Sequence, residues 1–418
     1  MTRPTTAADK SAGVFYGWKI VAAVFATLMV TAGLGFYNVA VILVAARTEL
    51  GASVSAVSFG PALFFGISGI AGYALSKWMD DVDLRWFYLA GAITGAAALL
   101  GLRWVDSVAT LYVFFVLFGV GFALAGLVPG ITLVARWFTV RRSIALSVAS
   151  TGLSMGGIVI TPFASTLIDQ RDLGGAGPIM AIAWLIGVMA PAAILRSFPA
   201  DKGLQPDGAA APVGTVEVDG ATFAAAKRTR LFQFLAAVYA LVFLAQVGGL
   251  AHLANLGAER VDRATGAAAI SLLALSSIIG RLIGGVVVTK IPARELSGVL
   301  ILVQAAALVL LAFANGRSGI LVASALFGLS VGNLLMLQPL LLVEAFGVRN
   351  YSQIYAYSQL IATIGVAAGP FLIGALRDLI DYRFAFIASA VVNFAAFGLL
   401  LAGGPVKRAI AEWAPAQT

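Results

Sequence analysis

The chain has 418 residues, of which 61% are hydrophobic and only 11% are charged. A soluble domain carries about 25% charged residues, so this chain has too little polar surface to cover a water-facing globule. The composition therefore excludes an ordinary soluble protein and indicates that lipid solvates most of the chain. Cysteine is absent, which excludes disulfides, thiolate metal sites and cysteine nucleophiles.

Apolar stretches of about 20 residues, the length that spans a bilayer, recur along the whole chain. They predict twelve transmembrane helices, at 17–45, 54–78, 85–105, 108–135, 143–168, 175–195, 231–257, 266–289, 296–314, 318–344, 352–376 and 384–402. The long polar segment between the sixth and seventh helices is rich in Pro, Ala and Gly, which is typical of a flexible linker. We therefore expect an all-α integral membrane protein with an N-terminal six-helix bundle (1–196), a cytoplasmic linker (197–229) and a C-terminal six-helix bundle (230–418).

The basic residues are distributed unevenly between the two sides of this predicted topology. With both termini in the cytoplasm, 18 of the 27 Lys and Arg residues fall on the cytoplasmic side and 8 on the other. This bias is the positive-inside signal of a multi-pass protein, here expected in the inner membrane of the cell. The net charge of +8 is thereby explained without a nucleic-acid partner.

The two predicted halves share sequence features at nearly constant spacing. Arg85 recurs as Arg294, and Leu117-Phe118-Gly119 recurs as Leu326-Phe327-Gly328, both 209 positions later, whereas Pro162-Phe163 recurs as Pro370-Phe371 after 208. Such spacing indicates an internal duplication. Repeated halves are how many secondary transporters are built, with the substrate site at the midplane between them.

Arg281 is the one cation that lies inside a predicted helix away from its ends. It lies eight residues before Thr289, at the cytoplasmic end of helix 8, and so about 12 Å deep. Every Asp and Glu can be placed in a loop or at a helix end, so no buried carboxylate is evident to neutralise it. We expect the substrate to supply the anion, because a guanidinium holds a carboxylate through two parallel hydrogen bonds. The alternative is a structural arginine that snorkels or bonds main-chain carbonyls.

His252, the only histidine, lies near the outer end of helix 7. Imidazole titrates near neutral pH, so this side chain is the candidate for proton coupling, and a hydrogen-bonded structural histidine is the alternative. No metal site or cofactor is expected, since no second histidine or buried carboxylate accompanies it.

Further polar residues at similar depths are candidates for lining a substrate cavity, although hydrogen bonds between helices would explain them equally well. They are Ser277, Gln246, Asn333, Gln359, Tyr355, Tyr37 and Asn38.

At the cytoplasmic surface, acidic residues after helix 2 can interact favourably with the positive N-terminus of a neighbouring helix and so latch one conformation. The predicted latch residues are Asp80, Arg85, Arg141 and Arg142.

Several local motifs carry a resemblance to a known family. They are Phe15-Tyr16-Gly17-Trp18 before helix 1, Arg136-Trp137-Phe138 with Arg141-Arg142 between helices 4 and 5, His252-Leu253 in helix 7, and Gly280-Arg281-Leu282-Ile283-Gly284-Gly285 in helix 8. In these motifs the chain resembles the major facilitator superfamily, and within it the branch of monocarboxylate transporters and the oxalate/formate antiporter. The resemblance implies alternating access by two rocking bundles and substrate carboxylate binding at Arg281.

The chain also departs from this branch. Helix 11 (352–376) lacks the lysine of the oxalate antiporter, and Ser277 stands where animal monocarboxylate transporters have an aspartate. A dicarboxylate substrate and proton coupling by the animal mechanism are therefore not implied. Ser76 also replaces the glycine that usually begins the helix 2–3 signature.

These features predict a secondary active transporter, expected to be a monomer, of a small organic anion such as a monocarboxylate or another carboxylate-bearing metabolite. Protons or an exchanged anion would drive it. A drug or metabolite exporter of the same fold is the alternative, and a membrane-embedded enzyme is a distant one, because neither a nucleophile–base pair nor a metal-ligand cluster is evident. The chain is therefore expected not to be an enzyme.

Overall fold

The computed structural model describes residues 15–208 and 220–414, and it is all-helical across the membrane-spanning segments. Eleven helical segments in these two stretches are long and apolar enough to cross a membrane. One of them, Arg142–Ile194, has 53 residues, about twice what a single crossing needs. Its backbone leaves helical geometry at Asp172, where φ is 56° and ψ is −179°. This segment therefore makes two crossings, and the described chain contains the twelve transmembrane helices that the sequence predicts.

In chain order these helices are α1 (Tyr16–Thr31, the π-helical turn Ala32–Tyr37 and Asn38–Leu50), α2 (Val54–Met79), α3 (Leu84–Gly101), α4 (Val108–Ala125 and Leu127–Trp137), α5 (142–171, with the π-helical turn Gly156–Ile160), α6 (173–194), α7 (Arg230–Arg260), α8 (Arg263–Val287), α9 (Ala293–Phe313), α10 (Arg317–Phe346), α11 (Tyr351–Leu379) and α12 (Tyr382–Ala402). Two short helices, Phe223–Arg228 and Val406–Trp413, lie outside this set. Each predicted span overlaps one observed helix.

Short polar side chains begin many of the helices. Ser107 accepts a hydrogen bond from the backbone N–H of Thr110, and Asp381 accepts one from Phe384. Thr229 caps α7 in the same way. These side chains satisfy N–H groups that have no partner within the helix, so they define where the apolar spans begin.

Helices within each half approach closely at glycine residues. A side chain at Gly332 of α10 would collide with the carbonyl of Ser277 in α8, and one at Gly365 of α11 would collide with the carbonyl of Ala240 in α7. Small residues of this kind let membrane helices pack backbone to backbone. Large apolar side chains such as Ile93, Val322 and Phe371 project outward instead, where lipid surrounds them.

The halves α1–α6 and α7–α12 meet mainly through α2 against α11 and α5 against α8. We call the side on which α6 ends and α7 begins the linker face, and the opposite side the distal face. Among the described residues, four side-chain hydrogen bonds join the halves, and all of them involve the linker-face portions of α2, α4, α5, α8 and α11. They link Ser147 to Arg281, Arg281 to Ser150, Ser352 to Asp80, and Ser352 to Thr132. The halves are therefore closed toward the linker face.

The described parts of the predicted linker dock onto both halves. Asp207 accepts hydrogen bonds from the backbone N–H groups of Thr139 and Val140, in the turn between α4 and α5. On the other side, the N–H of Ala221 donates to the carbonyl of Phe346 at the end of α10. The middle of the linker, 209–219, lies outside the described residues.

Candidate functional site

Arg281 is almost completely buried, with 1% of its surface exposed. It lies in α8 where this helix packs against α5 of the opposite half and α10 of its own half. Among the described residues, no carboxylate lies within ion-pair distance of its guanidinium. A buried charge without an ion pair is costly, so its neighbours must compensate it by hydrogen bonding.

Main-chain carbonyl groups supply these hydrogen bonds. Arg281 Nε donates to the carbonyl of Gly332 at 2.8 Å, and Nη1 donates to the carbonyl of Ser150 across the interface between the halves. Ser147 Oγ returns a hydrogen bond to the carbonyl of Arg281 at 2.6 Å. Within the part of the chain that the structure describes, Nη2 has no such partner. The guanidinium is thus held in place while one of its donors stays free.

A cavity of about 160 Å³ lies between the two halves. Helices α1, α2, α4 and α5 form one side of it, and α7, α10 and α11 form the other. Of the residues predicted to line a substrate site, three line this cavity: Tyr37, Gln246 and Gln359. The remaining wall is mostly apolar.

Arg281 lies beside this cavity rather than in its wall. Its acceptor residues Ser150 and Gly332 each come three positions, or about one helical turn, before a residue that lines the cavity, Leu153 and Leu335 respectively. Tyr37, in the wall, is close enough for an electrostatic interaction with Arg281. The guanidinium therefore contacts residues that lie about one helical turn from the cavity wall.

The other predicted lining residues occupy different positions. Asn333 and Ser277 belong to the α8–α10 contact beside Arg281, where Asn333 Oδ1 is buried and has no hydrogen-bond partner among the described residues. Tyr355 is buried and stacks on Tyr351, with ring centroids 5.8 Å apart. Asn38 points into the N-terminal half, toward the sulfur of Met180 at 3.5 Å. None of these four lines the cavity of the described chain.

His252 lies within the C-terminal half, between α7, α11 and α12. Its Nε2 is 2.9 Å from the carbonyl of Pro370, so this nitrogen carries a proton, and its Nδ1 is 3.2 Å from the hydroxyl of Tyr382. Tyr382 also lines a polar surface pocket with Glu259 and Arg377. A tyrosine hydroxyl both donates and accepts, so His252 can take a second proton on Nδ1 without losing either contact.

At the linker face, Asp80 connects the two halves. Its Oδ1 accepts hydrogen bonds from Arg136 Nη2 at 3.1 Å and from the backbone N–H of Ser352, at the start of α11, at 3.3 Å. Burial raises the pKa of the Asp80 carboxyl above its ordinary value, and the charge of Arg136 and the hydrogen bonds from Ser352 oppose this shift. Asp80 therefore lies at a helix N-terminus of the opposite half.

The other predicted latch residues do not bond to the opposite half in the part of the chain that the structure describes. Arg85 forms an ion pair with Asp83, two residues earlier, with Nη2–Oδ2 at 2.6 Å. Arg142 Nε donates to the carbonyl of Phe138 at 2.7 Å. The backbone N–H of Arg141 donates to Asp207 in the docked part of the linker.

Comparison with known proteins agrees with this architecture. The model of the Major Facilitator Superfamily matches residues 23–294 and 253–415, which together span nearly the whole chain. The chain belongs to the major facilitator superfamily. It is accordingly a multi-pass membrane transporter, as the motifs around α1, α4, α7 and α8 imply.

Two curated relatives of this superfamily member are named monocarboxylate transporter 13. The protein from Rattus norvegicus is 26% identical over 92% of this chain and 88% of its own length. The protein from Bos taurus is 25% identical over 92% of this chain and 89% of its own length. An MFS-type transporter from Gibberella moniliformis is 24% identical over 86% of this chain and 84% of its own length.

Solved transporters share the fold at low identity. The E. coli fucose:proton symporter FucP superimposes with a TM-score of 0.70 at 15% identity, covering 92% of this chain and 98% of its own. The human organic anion transporter MFSD10 (TETRAN) gives a TM-score of 0.68 at 13% identity, and the superposition covers 92% of this chain and 99% of that transporter. At these identities the likeness concerns the fold alone.

Sequence reasoning missed the residues that this superfamily member uses to hold Arg281 and Asp80. Ser147 and Ser150 contact Arg281 from α5, but serines in an apolar helix are common and carried no distinguishing signal. Arg136 was recognised within a motif, yet its ion pair with Asp80 joins residues 56 positions apart. Asp80 comes directly after the end of α2 and Arg136 one residue before the end of α4, and this shared position at the linker face could have suggested the pair.

Proposed function

We propose that this protein is a secondary active transporter of a small organic anion, a monocarboxylate or another carboxylate-bearing metabolite, in which Arg281 binds the carboxylate. The observation that supports this most is the buried guanidinium beside a cavity between the halves, which forms no ion pair with any residue that the structure describes. A carboxylate provides the full negative charge that the carbonyls of Ser150 and Gly332 lack, and it would pair with the guanidinium bidentately.

Transport would follow from alternating access of the halves 1–196 and 230–418 about the cavity, with 197–229 as the connecting linker. We place the protein in the inner membrane with both termini in the cytoplasm, acting as a monomer. The names of the relatives, monocarboxylate transporter 13, favour a carboxylate substrate. Protons or an exchanged anion would supply the driving force, with His252 as the candidate proton carrier.

An exporter of cationic drugs is the weaker alternative. In the described chain, no Asp or Glu lines the cavity, so nothing there would neutralise a cationic substrate. A buried positive charge next to the cavity would repel it.

Substitution of Arg281 tests the proposal directly. Arg281→Lys keeps the charge but loses the planar pair of donors, and Arg281→Gln loses the charge. We expect carboxylate affinity to fall by roughly 30-fold to several thousand-fold, because one charge-assisted pair in a dry site contributes about 2–5 kcal/mol. Melting temperatures should change little, because removing an unpaired buried charge also removes its desolvation cost. The measurement is ligand-induced thermal stabilisation with short, hydroxylated and aromatic carboxylates.

Arg260→Gln is the matched control. Arg260 also donates only to main-chain carbonyls, those of Leu311, Ala312 and Ala314, but it lies away from the cavity. Arg260 is only partly buried and caps the carbonyls at the C-terminal end of α9, so its removal loses this cap and recovers little desolvation cost. This variant should therefore melt earlier and bind carboxylates normally. If the Arg281 variants behave in this same way, Arg281 is a structural residue and the proposal loses its main support.

A further inference from the structure

The cavity wall has a chemistry of its own. Five aromatic residues line it: Phe36, Tyr37, Phe65, Phe122 and Phe243. Most of the other lining residues are aliphatic, and within the described chain none of them is Asp, Glu, Lys, Arg or His. A surface of this kind is suited to an apolar body rather than to a small, strongly hydrated anion, since burial of apolar surface favours binding in proportion to its area.

The cavity is also elongated. On α11 its lining residues run from Ala356 to Val366, which corresponds to about 15 Å along the helix axis. A short acid of three carbons would contact only a small part of this wall. The shape therefore favours a substrate of the length of an aryl-alkyl acid.

Two glutamine side chains in the wall each have an amide oxygen that no donor among the described residues reaches. The Oε1 atoms of Gln246 and Gln359 are buried, and among the described residues neither finds a donor. The hydroxyl groups of Ser68 and Thr363, also in the wall, are each satisfied by a carbonyl of their own helix, at 2.9 Å. Buried polar groups are rarely left unpaired, so the two amides are suited to hydrogen-bond a ligand.

The two amides lie at different heights along the cavity. Gly365 and Gly369 of α11 contact the carbonyls of Ala240 and Leu244 in α7, and these contacts set the register of the two helices. In this register Gln246 and Gln359 are about three helical turns apart. They can therefore contact two separate polar groups of one elongated molecule.

We infer that the substrate is an elongated monocarboxylate with an aromatic or similarly bulky apolar body and a second hydrogen-bonding group, such as a hydroxyl, apart from the carboxylate. This inference rests on the proposed function, because Arg281 provides the charge for one carboxylate only. The apolar wall receives the body, and the glutamine amides receive the polar groups.

Three probes separate these contributions: propionate, 3-phenylpropionate and 3-(4-hydroxyphenyl)propionate. We expect 3-phenylpropionate to bind at least about tenfold more tightly than propionate, from the apolar area of the ring. The hydroxylated acid should bind about 3- to 10-fold more tightly still, through one hydrogen bond to an otherwise unpaired amide. Binding is measured by calorimetry on the purified full-length protein.

A cavity-filling variant tests the position of the aromatic body. Gly72 lines the cavity, and a Cβ atom there meets nothing closer than Ala123 at 4.0 Å. Gly72→Leu should therefore weaken both aromatic acids at least about tenfold and leave propionate within about twofold. Gly66→Leu is the matched control, because Gly66 also has open space and lies on α2 outside the cavity wall.

The glutamines are tested in the same assay. The single ring hydroxyl reaches one of the two amides, so one of the variants Gln246→Leu and Gln359→Leu should abolish the preference for the hydroxylated acid and the other should keep it. Both variants should leave 3-phenylpropionate binding unchanged, and a preference that survives in both would contradict the inference. Gln353→Leu, on the same helix as Gln359 but outside the cavity wall, should change neither the preference nor 3-phenylpropionate binding.

The outcomes distinguish this inference from the proposed function. If propionate binds as tightly as the aromatic acids, or if the aromatic acids do not bind, the inferred substrate class is wrong. The proposed function still stands in that case if carboxylate binding is lost in Arg281→Gln. If Arg281→Gln binds all three acids as the unmodified protein does, the proposed function is wrong, and the response to Gly72→Leu still decides whether the cavity receives aromatic molecules.

Discussion

Arg281 donates hydrogen bonds to main-chain carbonyls of two helices, one of which belongs to the opposite half. Its depth and its lack of an acidic partner could be predicted from the sequence, because both follow from counting residues to the end of α8. Its actual contacts could not, since Ser150 and Gly332 are 131 and 51 positions away and approach only when the helices pack. For the same reason Tyr37 could be predicted to line a cavity, but the aromatic residues that line it with Tyr37 could not, because most of them belong to other helices.

The residue-scale prediction that concerns coupling is at His252. A glutamine can replace both imidazole contacts, donating to the carbonyl of Pro370 and accepting from Tyr382, but it cannot carry a proton. We expect His252→Gln to lose uptake driven by a pH gradient and to keep exchange of one carboxylate for another. Uptake into proteoliposomes with and without an imposed gradient measures both.

Tyr382→Phe extends this test. It removes the hydroxyl that would accept a hydrogen bond from the protonated Nδ1 of His252. Gradient-driven uptake should therefore fall while the fold is retained. Gradient-driven uptake that is unchanged in His252→Gln would assign His252 a structural role.

At the scale of elements, the positions of the helices were largely predictable, because a bilayer demands about 20 apolar residues for each crossing. The residues at which the helices end were less predictable. The sequence predicts separate helices at 143–168 and 175–195, whereas the structure continues the helical backbone to Ile194 with one break at Asp172. Polar residues such as Arg171 do not end a helix by themselves, since the helix can extend beyond the lipid.

The contact of the α2–α3 turn with α11 leads to a prediction about closure of the linker face. Asp80→Ala removes the acceptor for the N–H of Ser352 and leaves the buried Arg136 without its ion-pair partner, which is strongly destabilising. We expect the halves to separate more often on this face. The rate at which a thiol reagent labels a Ser143→Cys reporter, at a position that is now 7% exposed, measures the separation.

Two variants calibrate this experiment. Because burial raises the pKa of Asp80, the site tolerates a neutral side chain, and Asp80→Asn should open the face less than Asp80→Ala. Asp83→Ala disrupts the neighbouring contacts with Arg85 and Ser197, which lie within one half. It should lower the melting temperature without faster labelling, and equal labelling in Asp80→Ala and Asp83→Ala would contradict a role for Asp80 in closure.

For the whole molecule, the orientation in the membrane is a prediction that the cysteine-free sequence makes easy to test. Three helices separate Lys202 from Gly316, so these positions lie on opposite faces, and two helices separate Lys202 from Lys290, so these share a face. We expect Lys202→Cys and Lys290→Cys to be labelled from the cytoplasm only, and Gly316→Cys from outside only. Labelling of the Lys202→Cys and Gly316→Cys variants from the same side would be incompatible with twelve crossings.

The π-helical turn in α5 coincides with a change of one residue in the spacing between the two halves. The ends of α4 and α10, Trp137 and Phe346, are 209 positions apart, and so are the starts of α5 and α11, Arg142 and Tyr351. Twenty residues further along α5 the offset is 208, between Pro162 and Pro370.

Between these points α5 therefore holds one residue more than α11. A π-helical turn accommodates one extra residue in a helix, and Gly156–Ile160 lies within this interval, while α11 is regular. The turn is thus the place where α5 accommodates its additional residue. It also marks a place where removing one residue would restore a regular helix instead of rotating the rest of α5 out of register.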